Sequence, residues 1–368
     1  MKKEKTIILE IINSAKHGGG TKHLLDLVKN LSGKGYEFHI AVSPDGPYTD
    51  YFKKAGCIIH KIDMMSGRFQ RKAGKEIAAL IKTIKPAIIH AHGTRAAFFV
   101  SKHRKKAANI PFIYTVHGLS YNKNIGLWSR VFYRQVERYI CTNADKIISV
   151  SSSDGKEMVK NEIVSKKKLV VIENGVDTSK LVKIARSKKK PKIIGCVARL
   201  TEQKGVSYLI EALSILKYIY NSDLRAVIAG DGKSASDLKT LSEKMGVSDR
   251  IEWRGETDDV IPLYKIFDIF VLPSLWEGLP LVLIEAMASG LPVISTDTSG
   301  GRDIIKNRKN GLLVPRADSE ALANAIREIC QDRVLAEKIA SNGRRDAAEK
   351  YSIGRFVSQT EEIYKKMK

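Results

Sequence analysis

Two glutamates, Glu277 and Glu285, stand eight residues apart in the segment with the clearest chemical potential. The first follows an apolar run at 267–272. The second lies in a helix predicted to begin at Pro280 and end at Gly290, because Pro is common early in a helix and Gly just past its end. Backbone N–H groups and the helix dipole at such an N-terminus favour a phosphate. A sugar attached to a nucleotide diphosphate would fit this arrangement, although two acids at this spacing also occur by chance.

A second group of charges follows a predicted strand in the segment 195–205. Arg199 and Lys204 are five residues apart across a turn, so both cations could converge on one diphosphate, the guanidinium as a fork and the ammonium as a point charge. Positive charge there would stabilise a departing nucleotide diphosphate, which is electrostatic catalysis. The alternative is a pair of solvated loop charges.

Three consecutive glycines at 18–20 follow the first predicted strand. They would let backbone N–H groups approach a diphosphate closely, but a simple flexible turn explains them equally well. They do not form a dinucleotide fingerprint, because His23 occupies the place of its third glycine, and this disfavours a nicotinamide-dependent oxidoreductase. The run 230–234 ends like a P-loop, but Val227 stands where that motif needs its first glycine.

Histidines end two further predicted strands, at the edge where open α/β sheets bind ligands. His92 and Arg95 follow one strand, and His117 follows the next. A neutral or protonated imidazole at position 117 could donate to a sugar hydroxyl or stabilise developing charge. A histidine at a strand end is more often structural, so His92 and Arg95 are predicted only to lie near an acceptor or a cleft.

Short apolar runs alternate with longer amphipathic stretches along the chain, a pattern typical of parallel α/β sheets. Strands are predicted at 6–12, 37–42, 87–91, 112–116, 146–150, 169–172, 192–197, 225–229, 251–254, 269–272 and 292–295. A basic stretch at 187–191 separates two series of strands, so a linker is predicted near 175–191. The predicted domains are residues 1–187 and 188–350, with a final helix over 351–368.

Several of these segments resemble the retaining glycosyltransferases of family 4. The stretch 272–295 is similar to their E-x7-E signature. Arg199 and Lys204 are similar to their Arg-x4-Lys element, and His117 with Gly118 is similar to their His-Gly element. The resemblance covers almost the whole chain and is most specific over residues 193–315.

Two turns and one departure complete the comparison with that family. The turns at 18–20 and 230–232 are similar to the family's Gly-Gly and Gly-Asp-Gly turns. Family members often carry Glu two residues after a later Gly pair, whereas this chain has Arg302 and Asp303 after Gly301. Asp303 is shorter than Glu, so it is left open whether this acid makes the contact that Glu makes in the family.

The resemblance implies an α/β protein with the GT-B fold, in which two doubly wound Rossmann-like domains face a central cleft and the terminal helix crosses back onto the first domain. It implies that Glu285 holds the ribose hydroxyls, and that Glu277 with the backbone of Gly278 and Leu279 positions the sugar hydroxyls. The glycines expected beside the donor diphosphate are Gly19 and Gly20. The residues expected to be catalytic are His117, Glu277, Arg199 and Lys204. The reaction would retain the anomeric configuration, with no metal and no cofactor.

The chain carries a formal net charge of +23, most of it within residues 1–187. Such a surface attracts anionic lipid or nucleic acid, at about 1 kcal/mol per basic residue near an anionic membrane, or it only keeps the protein soluble. The segments 96–106 and 126–134 combine apolar and basic residues, as membrane-interface segments do, and the alternative is a buried helix with a basic end. No nucleic-acid-binding module is visible, so nucleic-acid binding is a remote alternative.

The remaining composition predicts a cytoplasmic protein. No apolar stretch reaches the roughly 20 residues of a membrane span, and the four cysteines are too far apart in sequence for a disulfide framework or a zinc site.

The predicted function is transfer of a sugar from a nucleotide diphosphate, a UDP-sugar, to a lipid-linked acceptor in bacterial surface polysaccharide or glycolipid assembly. The predicted location is the inner face of the cell membrane, and the alternative acceptor is small and soluble.

Overall fold

A computed structural model describes residues 5–66, 71–103, 110–122, 126–179, 181–182, 184, 191–257 and 259–368. The chain divides into two compact units. Unit 1 is Met1–Gly175 with Ile353–Lys368, and unit 2 is Val176–Ser352.

The boundary between the units lies earlier than the predicted position after residue 187. Val176 already belongs to unit 2, because its backbone N–H donates to the carbonyl of Tyr351 at 2.9 Å and a β-bridge joins it to Ser352. The chain therefore enters and leaves unit 2 at neighbouring points. Most of the basic stretch at 187–191 that suggested the later boundary, residues 187–190, lies outside the described residues.

The strands confirm the predicted positions to within one residue at each end. In chain order they are β1 (Thr6–Ile12), β2 (Tyr36–Val42), β3 (Ile58–Lys61), β4 (Ile88–His92), β5 (Phe112–Val116), β6 (Lys146–Ser149), β7 (Leu169–Val171), β8 (Ile193–Val197), β9 (Arg225–Ala229), β10 (Ile251–Gly255), β11 (Ile269–Leu272), β12 (Val293–Thr296) and β13 (Leu312–Val314). The strands β3 and β13 were not predicted. Both are short strands at a sheet edge, and β3 is largely solvent-accessible, so neither shows a long apolar run.

The helices alternate with the strands, as the pattern predicted. They are α1 (Gly19–Leu31), α2 (Tyr48–Lys54), α3 (Arg71–Ile84), α4 (Thr94–His103), α5 (Leu127–Asn143), α6 (Ser152–Lys160), α7 (Val206–Tyr218), α8 (Ala235–Lys244), α9 (Ile261–Ile266), α10 (Leu281–Ala288), α11 (Ser299–Ile304), α12 (Ser319–Gln331), α13 (Arg333–Lys350) and α14 (Ile353–Met367). The terminal helix α14 belongs to unit 1. Across the described ranges, none of the helices combines the length and the apolar character needed to cross a bilayer.

Each unit contains one parallel sheet. The order in unit 1 is β3-β2-β1-β4-β5-β6-β7, and the order in unit 2 is β10-β9-β8-β11-β12-β13. In both sheets the strand order reverses next to the first strand of the unit, between β1 and β4 and between β8 and β11. Open α/β sheets bind ligands at this switch point, beyond the carboxyl ends of the strands.

The sheet of unit 1 is covered on both faces, which explains why its strands are apolar on both sides. Along β1, Leu9 and Ile11 pack with α3 and α4, whereas Ile8 and Ile12 pack with α1 and α14. Side chains alternate along a strand, so Glu10 points to the same face as Ile8 and Ile12. A fully buried carboxylate thus lies in an apolar layer.

Candidate active site

The switch point of unit 2 carries an ion pair between two predicted site residues. Lys204 follows β8 and Glu277 follows β11, and Lys204 Nζ lies 2.5 Å from Glu277 Oε1. The two side chains are only 14% and 7% exposed. Because β8 and β11 are neighbours in the sheet, the loops that leave them meet at its carboxyl edge.

The second predicted cation is placed differently. Arg199 is exposed, and its Nη2 donates to Gln203 Oε1 at 3.4 Å. Lys204 is paired with Glu277, and the convergence of Arg199 and Lys204 on one diphosphate stays a prediction. Gln203 links the two loops, because its side chain donates to the carbonyl of Trp276 at 3.0 Å.

The loop of Glu277 is held by serine hydroxyls. Ser274 Oγ donates to Glu277 Oε1 at 2.7 Å, and Ser299 Oγ donates to the carbonyl of Glu277 at 2.8 Å. The next residue, Gly278, is buried and lies against Gly300, where a Cβ atom would stand 2.1 Å from the Gly278 carbonyl oxygen. Gly300, at the start of α11, is therefore needed for close packing against the Glu277 loop.

Glu285 lies within α10, which begins after Pro280. Its side chain is buried, and its Oε2 accepts a hydrogen bond from the Tyr264 hydroxyl at 2.9 Å. Burial, together with the neighbouring carboxylate, raises the pKa of Tyr264 well above its usual value, so the hydroxyl remains a donor. Leu279 is also buried, in the turn between the two glutamates.

This arrangement gives unit 2 one ammonium and two carboxylates in fixed positions. Tyr264 was not predicted, because a tyrosine in a short amphipathic helix has no distinguishing spacing. Carboxylates of this kind accept hydrogen bonds from hydroxyl groups. The ammonium of Lys204 can in addition bind phosphate as a point charge.

The glycines of unit 1 lie at the N-terminus of α1, as the sequence suggested. Gly18 precedes the helix, Gly19 is its first residue, and Gly20 lies under the ring of His117, with a distance of 3.5 Å from an ideal Cβ to His117 Cδ2. Thr21 Oγ1 donates to the Gly18 carbonyl at 2.9 Å. These contacts fix the turn at the carboxyl end of β1.

Arg95 contacts the chain that follows β3. Its Nη1 donates to the carbonyl of Met64 at 3.0 Å and to that of Met65 at 3.3 Å. The guanidinium of Arg95 therefore holds the loop of Met64 and Met65 in place. His92 instead belongs to a buried hydrogen-bond network.

That network surrounds Glu10 at the switch point of unit 1. Glu10 Oε2 lies 2.8 Å from His92 Nε2, and Glu10 Oε1 accepts from the Tyr364 hydroxyl of α14 at 2.7 Å. The same Tyr364 oxygen lies 2.7 Å from His90 Nδ1. Since the tyrosine has one hydrogen and donates it to Glu10, His90 donates to the tyrosine oxygen.

The network continues from His92 toward the surface. His92 Nδ1 lies 3.2 Å from His117 Nε2. The ring of His23 meets that of His117 edge-on, with centroids 4.7 Å apart, and His23 Nδ1 lies 2.7 Å from Asn174 Oδ1. His23 and His92 are buried and His117 is partly exposed, so His117 is the member that a ligand could reach.

Burial sets the charge of these groups. It lowers the pKa of His23 to about 3, with a further contribution from His92, and it lowers the pKa of His92 to about 4, with a contribution from His90. Burial, together with His23 and His92, also holds the pKa of His117 well below its usual value. Of the two states that the sequence left open for His117, the neutral imidazole is therefore the one present at neutral pH.

Glu10 is the charged member of the network. Burial alone would raise the pKa of its carboxyl, but His90 and the hydrogen bonds from His90 and His92 outweigh burial and hold that pKa well below its usual value. Four residues of this network were not predicted from the sequence as site residues: Glu10, His23, His90 and Tyr364. Glu10 alone carried a usable signal, since a charged residue inside an apolar strand needs a buried partner.

The same residues form two groups that could hold a metal ion. His23, His92 and His117 present ring nitrogens within 4.8 Å of one another, and the ligand atoms of Glu10, His90 and His92 are equally close. The sequence showed no such cluster, because these residues come from α1, β1, β4 and the loop after β5.

Two doubly wound parallel sheets, with charged residues at each switch point, define a protein of the GT-B fold. Two family models match the chain, Glycosyltransferase Family 4 over residues 17–180 and Glycosyl transferases group 1 over residues 177–346. Together they span most of its length, and the chain belongs to the group 1/family 4 glycosyltransferases.

Known proteins resemble the chain over most of its length. It is 28% identical over 353 residues to the UDP-Gal:alpha-D-GlcNAc-diphosphoundecaprenol alpha-1,3-galactosyltransferase of Escherichia coli, covering 91% of this chain and 90% of that protein. It is 32% identical to the lipopolysaccharide core biosynthesis glycosyltransferase LpsE of Rhizobium meliloti, over 51% of this chain and 55% of that protein. The crystal structure of Anabaena HepE with UDP and glucose aligns with a TM-score of 0.81 at 20% identity, over 97% of this chain and 98% of that chain, which shows a shared fold.

Proposed function

We propose that this glycosyltransferase moves a sugar from a UDP-sugar to a lipid-linked acceptor in the assembly of a bacterial surface polysaccharide or glycolipid, with retention of the anomeric configuration. The observation that carries the proposal is the Lys204–Glu277 ion pair at the switch point of unit 2. A nucleotide diphosphate bound there would lie beside the positive charge of Lys204, and the neighbouring carboxylate of Glu277 could orient the hydroxyls of its sugar.

The roles within unit 2 follow from burial and hydrogen bonding. Glu285 is buried and oriented by Tyr264, which suits a carboxylate that accepts from the two ribose hydroxyls. Glu277, with the backbone at Gly278 and Leu279, would position the donor sugar. Lys204 and the exposed Arg199 would stabilise the diphosphate as its bond to the sugar breaks.

The donor can be tested by measuring thermal unfolding with UDP-, GDP- and ADP-sugars. A ligand at 100 times its Kd stabilises the native state by about 2.7 kcal/mol, which raises the Tm of a domain of this size by roughly 5–10 °C. We expect a UDP-sugar to give this shift and Glu285→Gln to remove it. A wild-type protein that no nucleotide sugar stabilises would contradict the proposed function.

The ion pair itself is tested with a double variant. Lys204→Met alone would leave Glu277 as a buried, uncompensated charge, at a cost of about 3–5 kcal/mol. Lys204→Met combined with Glu277→Gln avoids this cost, so we expect a folded protein without sugar transfer. The matched control is Lys217→Met with Asp249→Asn. It removes an ion pair of the same unit in which the two charged atoms are 3.1 Å apart and the aspartate is 63% exposed. This control variant should keep full activity. Equal activity of the two double variants would show that the buried pair has no role.

The relatives support the proposed acceptor and its pathway. The Escherichia coli relative is named for a sugar linked to diphosphoundecaprenol, and the Rhizobium relative for lipopolysaccharide core biosynthesis. A lipid-linked acceptor would be offered at the inner face of the cell membrane. We therefore propose a peripheral membrane enzyme, with a small soluble acceptor as the alternative outcome of acceptor assays.

Helix α5 is the surface that would contact the membrane. One of its faces is anchored in unit 1, where buried Glu137 accepts from the hydroxyls of Tyr114 at 2.9 Å and Thr94 at 2.7 Å. At its N-terminal end, Trp128 is 87% exposed and Leu127 is 71% exposed. Exposed apolar side chains beside basic residues are typical of a helix that lies in a membrane interface.

The other segment with this composition does not expose its apolar residues. The apolar part of 96–106 lies in α4, where Ala96, Phe99 and Val100 belong to the core, so a buried helix is the correct interpretation there. The basic residues 104–106 lie outside the described residues.

Flotation with anionic liposomes at low salt tests the role of α5. We expect the wild type to float and the double variant Leu127→Ser with Trp128→Ser to remain in the soluble fraction. Ile219→Ser is the control, because Ile219 is 68% exposed in unit 2, and it should float like the wild type. Flotation of the α5 variant at the wild-type level would refute membrane binding through this helix.

We propose further that transfer needs neither a metal nor a cofactor. Although three imidazoles of unit 1 lie close enough to bind an ion, both ring nitrogens of His92 are already engaged, by Glu10 and by His117. At the proposed donor site of unit 2, Lys204 and Arg199 supply the positive charge. A chelator such as EDTA should therefore leave transfer unchanged.

A further inference from the structure

Glu10 is a buried charge whose presence folding alone does not explain. It lies between Ile8 and Ile12 on β1, opposite His90 of β4, and it is fully buried. Taking a carboxylate out of water costs several kcal/mol even when it is paired, and an apolar residue of similar volume often serves stability as well or better. A carboxylate at the switch point therefore points to a role in the site.

The hydrogen bonds of Glu10 determine which nitrogen of His92 carries the hydrogen. An ionised carboxylate only accepts, so His92 donates from Nε2, at 2.8 Å. A neutral imidazole has one N–H, which leaves His92 Nδ1 with a lone pair. His117 Nε2 lies 3.2 Å from that nitrogen and must donate to it, so the lone pair of His117 is on Nδ1.

We propose that Glu10 and His92 are positioning residues that act through His117, fixing its Nε2–H toward His92 and leaving Nδ1 to accept a hydrogen bond from a substrate hydroxyl. This inference rests on the proposed function, since it assigns His117 a sugar hydroxyl as its partner. It replaces the expectation that His117 donates to the sugar. The hydrogen bond made by one ring nitrogen of a histidine determines which of its nitrogens carries the hydrogen.

The surroundings of His117 support this arrangement. The ring is confined between His23, which meets it edge-on, and the backbone of Gly20. His23 is held in turn by Asn174. His117 is the partly exposed member of the network, so the fold orients one accessible imidazole through several buried ones.

The chain offers a matched control on the same sheet. Glu37 Oε1 lies 3.2 Å from His39 Nε2, and His39 Nδ1 lies 2.9 Å from His60 Nε2. This is the same order of carboxylate, imidazole and imidazole, but it lies on β2 and β3, away from the switch point. Glu37→Gln therefore makes the same chemical change outside the proposed site.

The experiment compares Glu10→Gln with Glu37→Gln by nitrogen NMR of the histidine side chains and by steady-state kinetics. In Glu10→Gln, the amide oxygen can accept from Tyr364 while the amide nitrogen faces His92 Nε2 and donates to it. His92 then carries its hydrogen on Nδ1, and His117 must move its own to Nδ1. We expect this tautomer change and a fall in kcat/KM of at least about tenfold, whereas Glu37→Gln should change kcat/KM by less than about twofold.

Two substitutions of His92 separate positioning from loss of packing. The oxygen of His92→Asn can replace Nδ1 as the acceptor for His117, whereas the amide of His92→Gln can replace Nε2 toward Glu10 but leaves His117 without its acceptor. We expect His92→Asn to retain the Nε2–H form of His117 and most of the activity, and His92→Gln to lose both. A purely structural role of His92 would not make His92→Asn more active than His92→Gln. Comparison of these two variants also provides the test if Glu10→Gln does not fold.

Two results would overturn the proposal. The first is a wild-type His117 with its hydrogen on Nδ1. The second is a folded Glu10→Gln variant with an unchanged His117 tautomer and unchanged kcat/KM. The NMR measurement needs no nucleotide sugar, so it decides the tautomer even if no donor is found. Conversely, wild-type transfer with no effect of Glu10→Gln would refute the positioning role and leave the proposed function standing.

Discussion

Acidification should destabilise unit 1 through its buried histidines. His23, His92 and His117 have pKa values held well below the usual value of 6.5, so they are neutral in the folded protein at pH 5.5. In the unfolded chain they regain ordinary pKa values and take up protons between pH 7.5 and 5.5. The unfolded state then binds more protons, and stability falls as the pH falls below about 6.5.

The size of the effect follows from these pKa values. A histidine that is neutral when folded and titrates near 6.5 when unfolded contributes about 1.4 kcal/mol between pH 7.5 and 5.5. Three such groups give about 4 kcal/mol, a large part of the 5–15 kcal/mol typical of a domain. Glu10 does not oppose this change. Its lowered pKa stabilises the folded state at pH values above 4.5, the ordinary pKa of the group, and this stabilisation is lost only at lower pH.

Urea unfolding at pH 7.5 and 5.5 measures the effect, with hydrogen exchange of the amides in β1 and β4 assigning the transition to unit 1. Unit 2 is an internal control, because all eight histidines lie within the first 117 residues. Its central strands β8 and β11 should open at nearly the same free energy at both pH values. A change in unit 1 below about 1 kcal/mol, or a gain in stability on acidification, would mean that these imidazoles are not neutral in the fold and would refute the reasoning.

Three further predictions concern unit 2 and the reaction. Tyr264→Phe removes the hydrogen bond to Glu285 and should cost about 1–3 kcal/mol of stability and weaken UDP-sugar binding; an unchanged Kd in calorimetry would count against Glu285 as a nucleotide contact. Gly232→Ala places a Cβ 2.3 Å from the Leu200 carbonyl oxygen and should lower the Tm of unit 2, whereas Gly354→Ala, whose Cβ meets nothing within 4 Å, should not lower that of unit 1. Dialysis against EDTA should leave transfer activity unchanged, and recovery of lost activity by added zinc would instead indicate a metal at the imidazoles of unit 1.

Local patterns in the sequence were sufficient for the fold. Apolar β-branched runs such as β1 are buried on both faces, and this makes parallel strands recognisable from composition alone. The edge strands β3 and β13 were not predicted, because short strands at a sheet edge have no such apolar run. The first domain boundary was placed too late, because the pairing of Val176 with Tyr351 is a contact between residues far apart in the chain.

The sequence by itself determined the fold class, the family and the loops that carry the charged residues, because these depend on spacing within single segments. Only the tertiary structure decided which residues meet. It paired Lys204 with Glu277, because β8 and β11 are adjacent in the sheet although far apart in sequence. It also brought Glu10, His92 and His117 into one chain of hydrogen bonds. Burial, which lowers the histidine pKa values and fixes their hydrogens, arises only when the sheet and its helices are packed together.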